Sequence, residues 1–258
     1  MSTFLFDHVV FGPVKSRRLG VSLGINLLPI DRKLCNFDCV YCECGLNTKG
    51  ENNSPLPTRK EVFEALELKL SQMQQSGETP DVITFAGNGE PTMHPDFPAI
   101  VQDTIALRNT YFSSAKISVL SNSTMIHKAS VVEALKKVDQ NILKLDSGLL
   151  STIQKLNKPT GKYNLEKTIL QLKEFGDNLI IQTMFTRGEV NGLLIDNTSE
   201  DDLSAWQKAI ETIQPKMVMI YTIDRDTPFL GLKKISKDEM NEIAKRIKLL
   251  GINVQISA

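Results

Sequence analysis

Cysteine is scarce in this chain and net charge is absent. Of 258 residues only four are cysteine and one is tryptophan, and 30 basic side chains balance 30 acidic ones. Four cysteines cannot staple a chain of this length, so a disulfide scaffold is excluded, and a chain this size buries enough surface to fold without one. A formal charge of zero removes the broad basic field that draws proteins to nucleic acid, which leaves only local patches for phosphate. Apolar residues at 41% and charged residues at 23% are the ordinary globular balance, not the polar, highly charged composition of disorder. No run approaches the ~20 apolar residues of a membrane span. The N-terminal residues 1–18 have no basic group ahead of their short apolar run, as a secretory signal requires. A cytoplasmic protein with no membrane partner is expected.

What is present is alternation. Strand-like apolar runs fall at 20–28, 82–85, 117–120, 141–145, 179–185, 216–221 and 252–256. Helical spacing fills the gaps. Thr58 and Glu61 form a capping box before Val62, Phe63, Leu66 and Leu70. Pro95 and Asp96 open a helix through Ile100, Val101 and Ile105, and another helix covers 131–138. Leu165, Ile169 and Leu172 follow, then Leu203, Trp206, Ile210 and Ile213 behind Ser199 and Asp202. The last helix carries Met240, Ile243, Ile247 and Leu250 after the capping box Ser236 and Glu239. Strands separated by helices imply right-handed crossovers and a parallel sheet. Six or seven such units are too few for a closed eight-fold barrel. The expectation is an α/β fold, a partial (β/α)6 parallel barrel in one domain over 1–258, with its ligand site at the C-terminal strand ends. The long connection at 188–198 reads as a lid or active-site loop.

All four cysteines lie within 35–44, in a loop expected over about 30–57. Cys35-Asn36-Phe37-Asp38-Cys39-Val40-Tyr41-Cys42 spaces three thiols by four and three residues, so they can converge within one loop. Three thiolates on an iron–sulfur cubane leave one iron open to an amine and a carboxylate of a small molecule. The competing uses are three inert buried thiols or a structural zinc with Cys44 as fourth ligand, although zinc knuckles usually come from separate parts of a chain. The run at 82–85 leads into Ala86-Gly87-Asn88-Gly89-Glu90-Pro91-Thr92, where glycines at a strand end permit close backbone approach. Later strand ends bring Ser121, Asn122 and Ser123, then Lys144, Asp146 and Ser147, then Gln182, Thr183 and Met184, then Tyr221 and Thr222. In an α/β barrel these ends meet at one pocket. His94 reads as part of a helix entrance, and Met184 can equally be core. Arg17 and Arg18 are either an exposed pair or guanidinium forks for phosphate or carboxylate.

The Cys-x3-Cys-x2-Cys loop, with Tyr41 before its last cysteine, resembles that of the radical S-adenosylmethionine (SAM) superfamily. The segment 87–92 is similar to that family's Gly-Gly-Glu-Pro motif, with Asn88 in place of a glycine. The resemblance implies a [4Fe–4S] cluster on Cys35, Cys39 and Cys42, with SAM on the open iron. It implies a place for the methionyl amine at Gly87, Asn88, Gly89 and Glu90, and for the adenine near Tyr41. Asn122, Ser123, Asp146, Gln182 and Met184 would hold the carboxylate, ribose and adenine. Cys44 falls outside the pattern. The chemistry implied is reductive cleavage of SAM to methionine and a 5′-deoxyadenosyl radical, which takes hydrogen from a substrate that the sequence does not name. The run 11–24 with the motif at 87–92 resembles a prokaryotic group related to the tRNA wyosine-base synthases. No flavodoxin-like domain accompanies it, so an external one-electron reductant such as flavodoxin or ferredoxin is expected. The second cluster of wyosine synthases would need thiols beyond Cys44, and the neutral charge disfavours tRNA as partner. Two alternatives stay open: a glycyl-radical enzyme activase, and a non-catalytic metal-binding or redox-sensing module.

Overall fold

The computed structural model describes residues 4–47 and 54–258. Residues 48–53 of the expected cysteine loop and 1–3 of the N-terminal stretch lie outside the described residues. In chain order, β1 (Val10–Ser16) and β2 (Gly20–Ile25) are followed by α1 (Arg59–Ser76), β3 (Val82–Phe85), α2 (Phe97–Tyr111) and β4 (Lys116–Ser121). Then come α3 (Ala129–Leu135), β5 (Gln140–Lys144), α4 (Leu150–Leu156), α5 (Leu165–Lys173) and β6 (Leu179–Phe185). The chain continues with β7 (Arg187–Val190), β8 (Leu193–Asp196), α6 (Glu200–Ile213), β9 (Met217–Thr222), β10 (Leu232–Lys233), α7 (Lys237–Lys248) and β11 (Asn253–Ser257).

The main sheet has the order β1-β2-β3-β4-β5-β6-β9-β11 and is parallel except at β1–β2. Sequential order means that every crossover advances in one direction, so the helices collect on one face and the sheet curls into a half-barrel. Side chains alternate accordingly. Ile117, Val119, Leu143, Ile181, Phe185, Val218 and Ile220 face the helices in the large core. Ile142, Ile180 and Met219 turn inward and pack with Leu19, Leu120 and Met217 in the lumen. Leu19 belongs to the β1–β2 turn, which enters the lumen at the N-terminal strand ends. Gln255 of β11 donates to the Arg18 carbonyl at 3.1 Å, so this turn spans the open side of the half-barrel.

Both expected capping boxes form, at Thr58 with Glu61 and Ser236 with Glu239, and Ser199 accepts from the Asp202 N–H. Asp96 caps nothing with its side chain; instead its own N–H donates to His94 Nδ1 at 3.1 Å. Three elements differ from the sequence expectation. β1 is an added antiparallel edge strand, where Pro13 is tolerated because an edge need not donate every N–H. α4 is a seven-residue helix, too short to show periodicity. The segment 188–198 is mostly a hairpin, turned by Asn191 and Gly192 at φ 52° and 78°, and β10 pairs with its first strand. Two positive φ values are the signature of the turn that matches strand twist.

Candidate functional site

The cysteine loop leaves the C-terminal end of β2 and is tied down on both sides. Leu34 pairs in parallel with Gly89: the Leu34 N–H donates to Asn88 O at 2.8 Å, and the Glu90 N–H donates to Leu34 O at 3.1 Å. Farther along, Asp38 and Val40 donate their N–H groups to Lys158 O and Leu156 O at 3.1 and 2.9 Å, and Thr160 donates to Asn36 O at 3.0 Å. The segment after α4 is therefore a strap across the loop. Asn47 accepts from the Cys35 N–H at 3.0 Å and donates to its carbonyl at 2.9 Å. Buried Lys33 donates to Gly45 O at 3.0 Å and reaches Asp38 at 3.4 Å. Buried loop backbone needs such partners.

Cys35, Cys39 and Cys42 line one cavity. Three N–H donors point at its sulfurs. The Phe37 N–H and Asn122 Nδ2 lie 3.4 and 3.5 Å from Cys35 Sγ, and Asn157 Nδ2 lies 3.3 Å from Cys39 Sγ. Burial pushes the Cys35 thiol up to about 12, with Glu90 and Cys39 adding to it, and pushes Cys39 up to about 11. Cys42 is drawn down to about 6, chiefly by a hydrogen bond from Cys44, with burial opposing. The Cys44 thiol, raised by the same contact, lies 3.4 Å from Gly87 O and links the loop to the glycine segment. Burial works against the Lys33 charge, but the three sulfurs and Asp38 outweigh it. Among the described residues, no group of three or more His, Cys, Asp or Glu side chains could hold a metal ion. A structural zinc needs four ligands at one point. Three thiols around one cavity, with N–H donors on their sulfurs, are a donor set that would suit an iron–sulfur cluster.

At Gly87 and Gly89, φ is 155° and 138°. A Cβ on Gly89 would lie 1.9 Å from Leu34 O, and one on Gly87 would lie 2.3 Å from Asn26 Oδ1. The close approach that glycine permits here is to the chain itself. Glu90 is buried, and its carboxylate accepts from the Asn122 N–H at 2.6 Å, the Thr92 N–H at 3.1 Å and the Thr92 hydroxyl. Burial nevertheless pushes its carboxyl above the usual range.

The opposite wall is a buried polar network. The Tyr41 hydroxyl donates to Asp146, which also takes Asn157 Nδ2 at 2.6 Å and the Met184 N–H at 2.9 Å. Lys144 Nζ donates to the Tyr41 hydroxyl at 2.8 Å and lies 3.5 Å from Asp146. Burial disfavours the Lys144 ammonium, but Asp146, Tyr221 and Cys39 outweigh it and hold its pKa above the ordinary value.

Of the residues expected at the site, Tyr41, Gly87, Gly89, Glu90, Asn122 and Gln182 line the cavity with the three cysteines. Asn88 is fully buried behind it, with its side chain on Phe6 and Pro29. Ser123, at φ 69°, donates to the Lys144 carbonyl. Asp146 stands behind Tyr41, and Met184 lines a neighbouring cavity. Ser121, Lys144 and Tyr221 from the expected strand ends also line the cysteine cavity, as do Arg18, Lys33, Phe37, Ala86 and Leu120. Asn157 escapes sequence reasoning altogether, because it follows a helix too short to see and reaches the loop only through the strap.

The profile described as the Radical SAM superfamily matches residues 33–203. The chain is 30% identical over 240 residues to a UPF0026 protein of Helicobacter pylori, which covers 90% of this chain and 71% of that protein. A radical SAM methyltransferase from Sphaerobacter thermophilus superposes with a TM-score of 0.68 at 13% identity, over 92% of this chain. The match spans 65% of the methyltransferase, so this chain covers less than two thirds of it. An archaeal TYW1 superposes at 0.50 with 15% identity, over 88% of this chain and 71% of that one. At such identities the structural likeness is one of fold.

Proposed function

The chain belongs to the radical SAM superfamily, and from that premise we propose that it is an enzyme using a [4Fe–4S] cluster and SAM to take hydrogen from a bound substrate. One observation carries the reading. The three thiols, Gly87, Gly89, Glu90 and the strand-end residues Asn122, Lys144, Gln182 and Tyr221 line a single cavity at the C-terminal face of the half-barrel. Cys35, Cys39 and Cys42 would hold the cluster, with Lys33 offsetting the charge of their sulfurs. When bound there, the cluster would supply the one-electron reducing chemistry for reductive cleavage of SAM. Gly87, Gly89 and Glu90 form the wall for the methionyl amine, with the Glu90 carboxylate fixed by Thr92 and Asn122. Tyr41, Asn122 and Gln182 are the cavity groups for the remaining polar atoms, while Asn88, Ser123, Asp146 and Met184 act from behind or beside it. Lys144 brings positive charge to the opposite wall.

The reductant in this reading is an external flavodoxin or ferredoxin. The N-terminal run supports kinship with the wyosine-related group. Only Cys44 remains outside the triad, and its thiol is committed to Gly87, so two-cluster chemistry on tRNA is not proposed. A glycyl-radical activase needs the same cavity and a protein substrate. Incubation with SAM and a candidate glycyl-radical enzyme tests it by the glycyl radical signal.

Asn157 gives a prediction independent of substrate. Hydrogen bonds to cluster sulfurs favour the reduced, more negative state and raise the reduction potential. Asn157→Leu, similar in volume, removes the donor to Cys39. The cluster is expected to bind and to titrate at a more negative potential in an EPR-monitored redox titration. An unchanged potential would contradict a role for this amide.

A further inference from the structure

Seven of the eight arginines stand in ion pairs with carboxylates, Arg17 on Asp224 at 3.3 Å among them. Arg18 is the exception among the described residues. It is half-buried in the turn that enters the lumen, with Leu19 packed against the lumen core and its own carbonyl held by Gln255. Its Nη1 donates to Gln182 Oε1 at 3.0 Å, and its guanidinium carbon lies 4.6 Å from the centre of the Tyr221 ring. One N–H of five is used. The fork is oriented by Gln182 and the ring but has no counter-charge, and a guanidinium drawn partly from water gains most when a carboxylate or phosphate completes it.

The position of Arg18 decides whose anion that is. It borders the cysteine cavity and two neighbouring cavities: one shares Tyr41 and Cys42 with the cysteine cavity, while the other, walled by Ser16, Arg17, Gly24 and Thr84 among others, has none of the three cysteines, Tyr41, Gly87, Gly89 or Glu90. A molecule reaching Arg18 through this second cavity need not displace anything bound at the thiols and the glycine segment. Resting on the reading of the cysteine cavity given above, we propose that Arg18 anchors an oxyanion, carboxylate or phosphate, carried by the substrate.

The test is phosphorus NMR of inorganic phosphate with anaerobically reconstituted protein, first without SAM and then with saturating SAM. Phosphate line broadening is expected with the wild type and with Arg17→Gln. Arg18→Gln should weaken phosphate binding about tenfold or more, as loss of hydrogen bonds to a charged group implies. Arg18→Lys, which keeps the charge without the fork, should fall between. Competition with acetate identifies the anion. Displacement at comparable concentration supports a site that also takes carboxylates, and no displacement supports a phosphate site. Three results overturn the proposal: no broadening with the wild type, unchanged broadening with Arg18→Gln, or loss of broadening when SAM is added. The last would give Arg18 to the cofactor. Protein that takes up no iron would defeat the reaction proposed above while leaving the phosphate measurements readable.

Discussion

Anaerobically reconstituted wild-type protein is expected to hold about four irons per chain, the cubane stoichiometry, and Cys35→Ser, Cys39→Ser or Cys42→Ser is expected to hold almost none. The three thiols share one cavity and receive the N–H donors of Phe37, Asn122 and Asn157. Burial pushes Cys35 and Cys39 up to about 12 and 11, so without a metal they stay protonated at neutral pH. Cluster binding must supply the positive charge that displaces those protons, so uptake should fall as pH is lowered. Cys44→Ser separates this account from a four-cysteine zinc site. Its thiol reaches Gly87 O and not the cavity wall, so that variant should keep its iron. Iron content by colorimetry and the visible charge-transfer band check the result. Stoichiometric zinc with no iron uptake in protein purified without oxygen would contradict it.

Gly89→Val is expected to cost about 2–5 kcal/mol of stability, combining an overpacked contact with a positive φ that valine adopts poorly. The physical reason lies in Leu34. A Cβ at position 89 would meet the Leu34 carbonyl oxygen at 1.9 Å and its carbon at 2.5 Å. Those atoms belong to the backbone pairing that fixes the loop next to Cys35. The substitution should therefore lower iron uptake as well as SAM affinity, because it displaces the cluster loop. Gly77→Ala is the control: its φ is 75° and nothing lies within 4 Å, so only a backbone cost of about 1–2 kcal/mol is expected. Chemical denaturation and iron content read both variants. A stable, fully loaded Gly89→Val protein that merely bound SAM less tightly would contradict the role given to Leu34.

The half-barrel was legible because its signals are local and periodic. Buried parallel strands such as Val82–Phe85 and Leu179–Phe185 read as short, mostly apolar runs, and the helices announce themselves through Thr58, Ser199 and Ser236. The cysteine loop was legible because thiol spacing is a chemical signal. Elements with weak or conflicting local signals were not. The edge strand Val10–Ser16 contains Gly12 and Pro13, which argue against a strand except at an edge. The hairpin at 187–196 carried its own signal in Asn191-Gly192, which a reading as a lid passed over. Site residues that act through tertiary contacts leave no pattern at all. Asn157 is eleven residues from Asp146 and far from Cys39 in sequence, yet its amide reaches both. Arg17 and Arg18 are indistinguishable as a dipeptide, and only the fold sends one to Asp224 and the other into the lumen.

Cleavage of SAM itself is the most direct measurement. Reconstituted protein is incubated anaerobically with SAM and dithionite, and 5′-deoxyadenosine and methionine are quantified by liquid chromatography and mass spectrometry. The account predicts both products in equal amounts from the wild type, and neither from Cys39→Ser. SAM left intact by protein with a full, reducible cluster would contradict it and favour a metal-binding or redox-sensing module.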